Sequence, residues 1–399
     1  MPRFEPFPAI RYADGAPLAD VTAPPYDVLS DADRSALAAR HPNNVVVIDV
    51  PVEADGPGRY DAAAAMLRTW LASGVLVQDG PAFYRSSMTF TDETGVVHRT
   101  VGLLGGLEVV PEGGDGVLPH EQTTPKAKTD RLDLTRATGM NLSAVWGLSM
   151  ADGLAEAVAA APATELGAFT DDAGVRHDLA RIDDPAAVAH LQAVVEAAPV
   201  VIADGHHRYA ISRTYAAEQR AAHDGAPGAW DLTLTFVVQL APEHLFIQAI
   251  HRLLTDLEGT STELALRLDA FFERRPAGPV DATITARMAE AGALCLVHPD
   301  GTGEFLVPRP ERFAGRRDLD SLRLEAALDG VAHTKTYQHG VEHVLAALRA
   351  GRAQAAVLLR PVSIAEIQRT ADERVLMPPK STFFAPKPRT GLVIRPASD

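Results

Sequence analysis

The run Asp204-Gly205-His206-His207-Arg208 sets a carboxylate, two imidazoles and a guanidinium around one glycine. Aspartate and histidine can move protons or hold a metal ion, and arginine can grip phosphate or carboxylate with two parallel hydrogen bonds. The preceding residues Val200-Val201-Ile202-Ala203 are apolar and three are β-branched, which predicts a short buried strand. From His206 the chain turns helical in character. Tyr209, Ile211 and Tyr215 fall near one face, with Arg213, Glu218, Gln219 and Arg220 more polar. A strand that ends in glycine and feeds a helix leaves the first N–H groups of that helix without partners. Such a turn is an anion site, and Arg208 adds charge to it. The competing reading is a polar turn whose histidines cap the helix and whose arginine pairs with a surface acid.

Three other stretches carry chemistry. In Thr22-Ala23-Pro24-Pro25-Tyr26-Asp27-Val28, two prolines stiffen a loop that presents Tyr26 and Asp27. Between Leu118 and Arg131 lie His120, Glu121, Thr123, Lys126, Asp130 and Arg131 with almost no apolar residues, a binding loop or a solvated one. Near the end, Met377-Pro378-Pro379-Lys380-Ser381-Thr382 offers Lys380, Ser381 and Thr382, with Lys387 beyond, to an anion. The glycines of a nucleotide phosphate loop are missing there, so it is not that motif. A hydrophobic clasp through Phe383 and Phe384 is the other reading of this tail.

The elements that must position these residues follow from pattern. Helices are expected over Ser30–Arg40, Tyr60–Ser73 and from Asp184 or Pro185 to Ala198. The β-branched run Val45–Val50 predicts a strand covered on both faces. Phe83–Thr91 and His98–Val110 predict antiparallel partners, with Gly102, Gly105 and Gly106 marking a bulge or a close backbone approach. A hairpin is expected across Phe169–Leu179 and a strand over Leu232–Leu240. After Asp256 the sequence settles into a plainer alternation of helices and strands. The expected class is α/β with mixed sheets. Residues 1–255 would form a core completed by the tail 365–399, and 256–364 a second α/β lobe.

Composition narrows the partners. A net charge of -15 over 399 residues argues against general affinity for nucleic acid or anionic membrane. Pro2, Glu5, Pro6 and Pro8 interrupt any signal-like apolar region, and no apolar run reaches the roughly 18 residues of a membrane span. The single cysteine, Cys295, lies in the apolar run Ala293–Val297. It reads as a core thiol and fits a reducing cytoplasm. A small-molecule partner is therefore expected. Homo-oligomerisation is left open.

Together, Ala23–Asp27, Pro119-His120-Glu121 with Thr123, Asp130-Arg131, Ala203–Tyr209 and Met377–Thr382 resemble, in order along the chain, the signature set of the family called domain of unknown function 1015. More distantly, the Asp-Gly-His-His-Arg turn resembles the phosphate-binding motif of the ParB and sulfiredoxin superfamily, which includes free-serine kinases. That likeness implies a ParB/sulfiredoxin-like phosphate-binding core in which Gly205, His206, His207 and Arg208 hold phosphate. It leads to a nucleotide-dependent phosphotransferase using ATP or ADP with Mg²⁺, its acceptor a free amino acid or similar hydroxylated metabolite. In that scheme Arg208, Lys126 and Lys380, with Ser381 and Thr382, clamp the nucleotide. Glu121 serves as base with Asp27 in reserve, while Asp204, His206 and His207 act near the transferred group. Tyr26, Asp27, His120, Thr123, Asp130 and Arg131 face the acceptor. Two alternatives use the same residues. One is a metal-dependent hydrolase built on Asp204, His206, His207, His120 and Glu121; the other is a sensor that binds a nucleotide or phosphometabolite without turnover.

Overall fold

The computed structural model describes residues 1–53, 58–122, 128–257 and 261–398. Its architecture is mixed α/β, built on a nine-stranded and a six-stranded sheet. The strand Val200–Asp204 forms as the sequence predicts and lies next to one end of the larger sheet. It pairs parallel with Val117–Pro119 and antiparallel with Val145–Ser149. Beyond Val145–Ser149 follow, in order, Leu232–Gln239, Val97–Glu108, Phe83–Thr91, Arg176–Ile182 and Thr164–Thr170. Phe4–Glu5 adds an antiparallel partner to Val97–Glu108.

Both faces of this sheet are covered, which is why the focal strand is apolar without alternation. Val201 and Ala203 join a core with Trp146, Leu148 and Phe236 on one face. Val200 and Ile202 join Val145, Leu191 and Val195 on the other. Gly102 and Gly105 are needed for close packing: a Cβ would stand 2.6 Å from the Phe236 ring at the first and 2.3 Å from the Phe4 ring at the second. Helix starts are legible too. Ser30 and Asp33 form a reciprocal capping box ahead of Asp31–Arg40, and the Asp184 carboxylate accepts the Ala187 N–H ahead of Pro185–Glu196.

The six-stranded sheet runs Phe272–Pro279, Thr302–Pro308, Leu294–Val297, Ala355–Leu358, His251–Thr255 and Thr334–Gln338, all neighbours antiparallel. It takes up His251–Thr255, which lie before residue 256. The chain then returns to the first sheet. Ile367 and Ala371 of the helix Ile364–Glu373, with Met377 and Phe384, are buried in its core. Phe383–Ala385 pairs antiparallel with Phe246–Gln248.

Val45–Val50 corrects the sequence reading. It is not a strand: Val46–Asp49 is a four-residue helix. The Asn44 side chain accepts the Val46 N–H at 2.9 Å and donates to the Asp20 carbonyl at 2.6 Å, which pins the chain in a turn. A short run buried on all sides carries no period to distinguish strand from helix. Among the described residues, no helix is long and apolar enough to cross a membrane.

Candidate functional site

Gly205 takes φ +85°, the left-handed conformation that glycine adopts most cheaply, and the helix His206–Ala222 starts immediately after it. No side chain caps this start. The Arg208 guanidinium folds back over the turn, so that a Cβ at Gly205 would lie 2.9 Å from Arg208 Nε. Arg208 Nη2 donates to Asp204 Oδ2 at 2.6 Å, and Nη1 donates to the Ala144 carbonyl. Lys387 approaches from the tail. Its Nζ donates to Asp27 Oδ2 at 2.6 Å and lies 3.1 Å from Asp204 Oδ1. Two carboxylates from distant segments, Asp27 and Asp204, thus converge on one ammonium. Burial disfavours a charged Asp204, but Lys387 and Arg208 outweigh it and hold the carboxyl below its usual range.

His120 ties this turn to the tail. It has no exposed surface. Its Nδ1 donates to the Ile202 carbonyl at 2.6 Å, and its Nε2 accepts from the Thr382 hydroxyl at 2.8 Å. Burial pushes its pKa down and keeps it neutral, as that tautomer requires. The His206 ring lies 5.0 Å from the His120 ring. Burial first, then His120 and His207, drive His206 well below the usual histidine value, and its Nε2 has no hydrogen-bond partner among the described residues. His207 sits half-buried beside it.

Glu121, the expected base, is engaged by backbone amides. Its Oε1 accepts the Lys380 N–H at 2.7 Å, and Oε2 accepts the N–H groups of Ser381 at 3.1 Å and Thr382 at 3.4 Å. The carboxylate therefore caps the tail turn, in which Lys380 adopts φ +60°. Arg252, itself buried, donates to the Lys380 carbonyl at 3.0 Å from the six-stranded sheet. The Ser381 hydroxyl donates to the Pro378 carbonyl. These bonds hold the backbone of Lys380 while its side chain stays exposed, near enough to Asp204 to help hold that carboxyl ionised. Phe384 packs in the core and Phe383 stacks on His339, so the tail is a clasp as well as a presenting turn.

On the other side of Arg208, Tyr26 carries the Arg131 guanidinium over its ring at 3.9 Å. Arg131 Nη1 also donates to Asp49 Oδ1 at 3.0 Å and to the Asp49 carbonyl. Asp130 faces outward, accepting from Arg59 at 3.0 Å and from the Tyr60 hydroxyl at 2.5 Å. Thr123 and Lys126 lie outside the described residues. Among the described residues, no group of three His, Cys, Asp or Glu side chains is arranged to hold a metal ion. Cys295 is buried, with its thiol pushed up to about 12 by burial.

Sequence reasoning missed Asp49 and gave Lys387 only a general role. The signal for Asp49 was present: one carboxylate inside Val-Val-Ile-Asp-Val predicts a buried charge with a fixed partner. The Lys387 pairing with residues 183 and 360 positions earlier left no such trace.

The Ala23–Asp27, Pro119–Glu121, Asp130-Arg131 and Ala203–Tyr209 motifs fall inside the stretch that matches a protein family, and Met377–Thr382 falls beyond it. The chain belongs to the family described as "Protein of unknown function (DUF1015)", matched over residues 4–348. Among curated proteins none matches it. Its similarities to solved structures are remote. A free serine kinase in complex with AMP is 13% identical, covering 70% of this chain and 89% of that one, with a TM-score of 0.37. SbnI from Staphylococcus aureus, with a C-terminal truncation, is 12% identical over 72% of this chain and 87% of its own, at 0.39. A conserved hypothetical protein from Pyrococcus furiosus is 13% identical over 70% and 93%, at 0.35.

Proposed function

We propose that this protein is a cytoplasmic, nucleotide-dependent phosphotransferase acting on a small hydroxylated metabolite, with the nucleotide phosphates held at the start of the helix His206–Ala222. The observation that carries this reading is the helix start without a side-chain cap after Gly205, flanked by Arg208, Lys387 and Lys380. Backbone N–H groups and positive charge converge there, as phosphate requires. Mg²⁺ would arrive with the nucleotide and neutralise charge on the transferring phosphoryl group; Asp27 and Asp204 are already answered by Lys387 and Arg208 and are not assigned to it.

Each residue then has a physical task. Lys387 and Arg208 draw phosphate oxygens toward the turn, and Asp204 fixes the direction of both. Lys380, its backbone fixed by Glu121 and Arg252, supplies a third cation at the rim. His206, kept neutral with one ring nitrogen uncommitted among the described residues, accepts a hydrogen bond from the acceptor hydroxyl and orients it. Glu121 acts as a positioning residue. The hydrolase reading is not favoured, because both His120 nitrogens are already engaged and Asp204 is committed to two cations.

Titration calorimetry of the full chain with ADP, ATP and pyrophosphate tests the proposal. Saturable binding is expected, weakened about tenfold or more by Lys387→Ala. Absence of binding by all three ligands, or unchanged affinity in the variant, overturns it. Binding without phosphate transfer to any hydroxylated metabolite would instead leave a sensor.

A further inference from the structure

A cavity ≈ 40 Å³ in volume opens beside Arg208, lined by Tyr26, Asp49, Arg131, Ser143 and Arg208 among others. It exceeds the about 10–15 Å³ that a single water needs. Its wall holds an unusual group. Asp49 is 2% exposed, yet only its Oδ1 is engaged, by Arg131. Oδ2 is buried with no hydrogen-bond partner among the described residues. Buried carboxylate oxygens are rarely left so, because the lost hydration must be replaced by a donor.

The chemistry of the missing donor follows from the surroundings. An ammonium would meet two guanidiniums, Arg131 and Arg208, in the same wall, while burial pushes the Asp49 carboxyl up and weakens the charge that would hold it. A neutral donor meets no such opposition. Tyr26 and Ser143 add hydroxyls that have no hydrogen-bond partner among the described residues and could donate in turn. A group that both donates and accepts suits this wall, and an alcohol does both.

We propose that this cavity is a subsite for a neutral hydroxyl group of the small-molecule ligand, which donates to Asp49 Oδ2. As the acceptor end of the transfer site it rests on the phosphotransferase reading, since Arg208 is common to both. Asp49 is here a recognition residue, and no proton transfer is assigned to it.

The test uses the full chain, ¹⁵N- and ¹³C-labelled, with 1,2-ethanediol and 1,2-dimethoxyethane as probes. They share a skeleton, but only the diol donates. The diol is expected to shift the Tyr26 ring and Arg131 Nε signals, at a midpoint roughly tenfold or more below that of the diether. Asp49→Asn should abolish the diol response. Its amide would turn a donor toward the cavity, and the flipped amide would set a donor against Arg131. Equal responses to the two probes, no response to either, or an undiminished diol response in the variant overturns the subsite. The two probes decide the matter on the wild-type protein even if the variant does not fold. ADP titrated into the same samples reports on the amides of His206–Arg208. Loss of that response with the diol response intact would sink the phosphate reading and leave the hydroxyl pocket standing.

Discussion

Two turns in this protein gather backbone N–H groups, and they differ in what answers them. At Lys380–Thr382 three amides point at one internal carboxylate, Glu121. At Gly205–Arg208 the helix starts with no side chain capping it, and the nearby acids Asp204 and Asp27 are bound to side-chain cations instead. The first turn carries its own anion. The second has its acids turned toward lysine and arginine, and no side chain caps its helix. On the proposed reading, the position of one glutamate separates a turn that carries its own anion from one that binds phosphate.

Removing that glutamate gives the largest expected effect. Glu121→Ala leaves three amides without their acceptor and should lower stability by about 3 kcal/mol, as read by denaturant unfolding. A change under about 1 kcal/mol would mean that the tail turn holds its shape unaided, and the contrast between the turns would dissolve.

Acid tests the histidine that joins them. His120, His206 and His251 all have folded-state pKa values depressed by burial, His251 to about 4. Their neutral forms are favoured by folding, so the stability they contribute is present above the unfolded value near 6.5 and is lost as pH falls below it. For His251, whose Nδ1 accepts the Leu359 N–H, the loss down to pH 4 is on the order of 2–3 kcal/mol. A flat stability profile between these two pH values would contradict the burial of all three.

Gly205→Ala sharpens the contrast from the open side. The new Cβ would be strained at φ +85° and would press on Arg208 Nε. The expected cost is about 1–2 kcal/mol in stability, with weaker ADP binding measured calorimetrically. The smallest effect on nucleotide affinity belongs to Asp204→Asn. It releases Lys387 and Arg208 from a competing carboxylate, so ADP binding should hold or tighten by roughly threefold while transfer is lost. Weaker ADP binding would show that Asp204 organises the cations more than it competes with phosphate.

Much of this contrast was legible before any coordinates. Asp-Gly after a β-branched run fixes where the strand stops and the helix starts, because only the local chain is involved. The N-cap at Ser30 was readable for the same reason, whereas Gly102 and Gly105 signalled only a bulge or a close approach, and their partners, the Phe236 and Phe4 rings, come from distant segments. Glu121 was not: a charged, proline-bounded stretch reads as a loop, and its three partners lie about 260 residues further on. The short helix at Val46–Asp49 was hidden as well, since a stretch buried on every side loses the alternation that marks a strand.

The sequence alone determined the mixed α/β class, the glycine-led start of the helix and the chemical character of the residues around it, all consequences of backbone preference and side-chain type within a few positions. Only the tertiary structure decided which charge answers which. Lys387 to Asp27 and Asp204, Arg131 to Asp49, and Glu121 to the tail amides are pairings between segments that share no local pattern. Burial selects these pairings, because a charge removed from water must find its partner wherever the fold brings one.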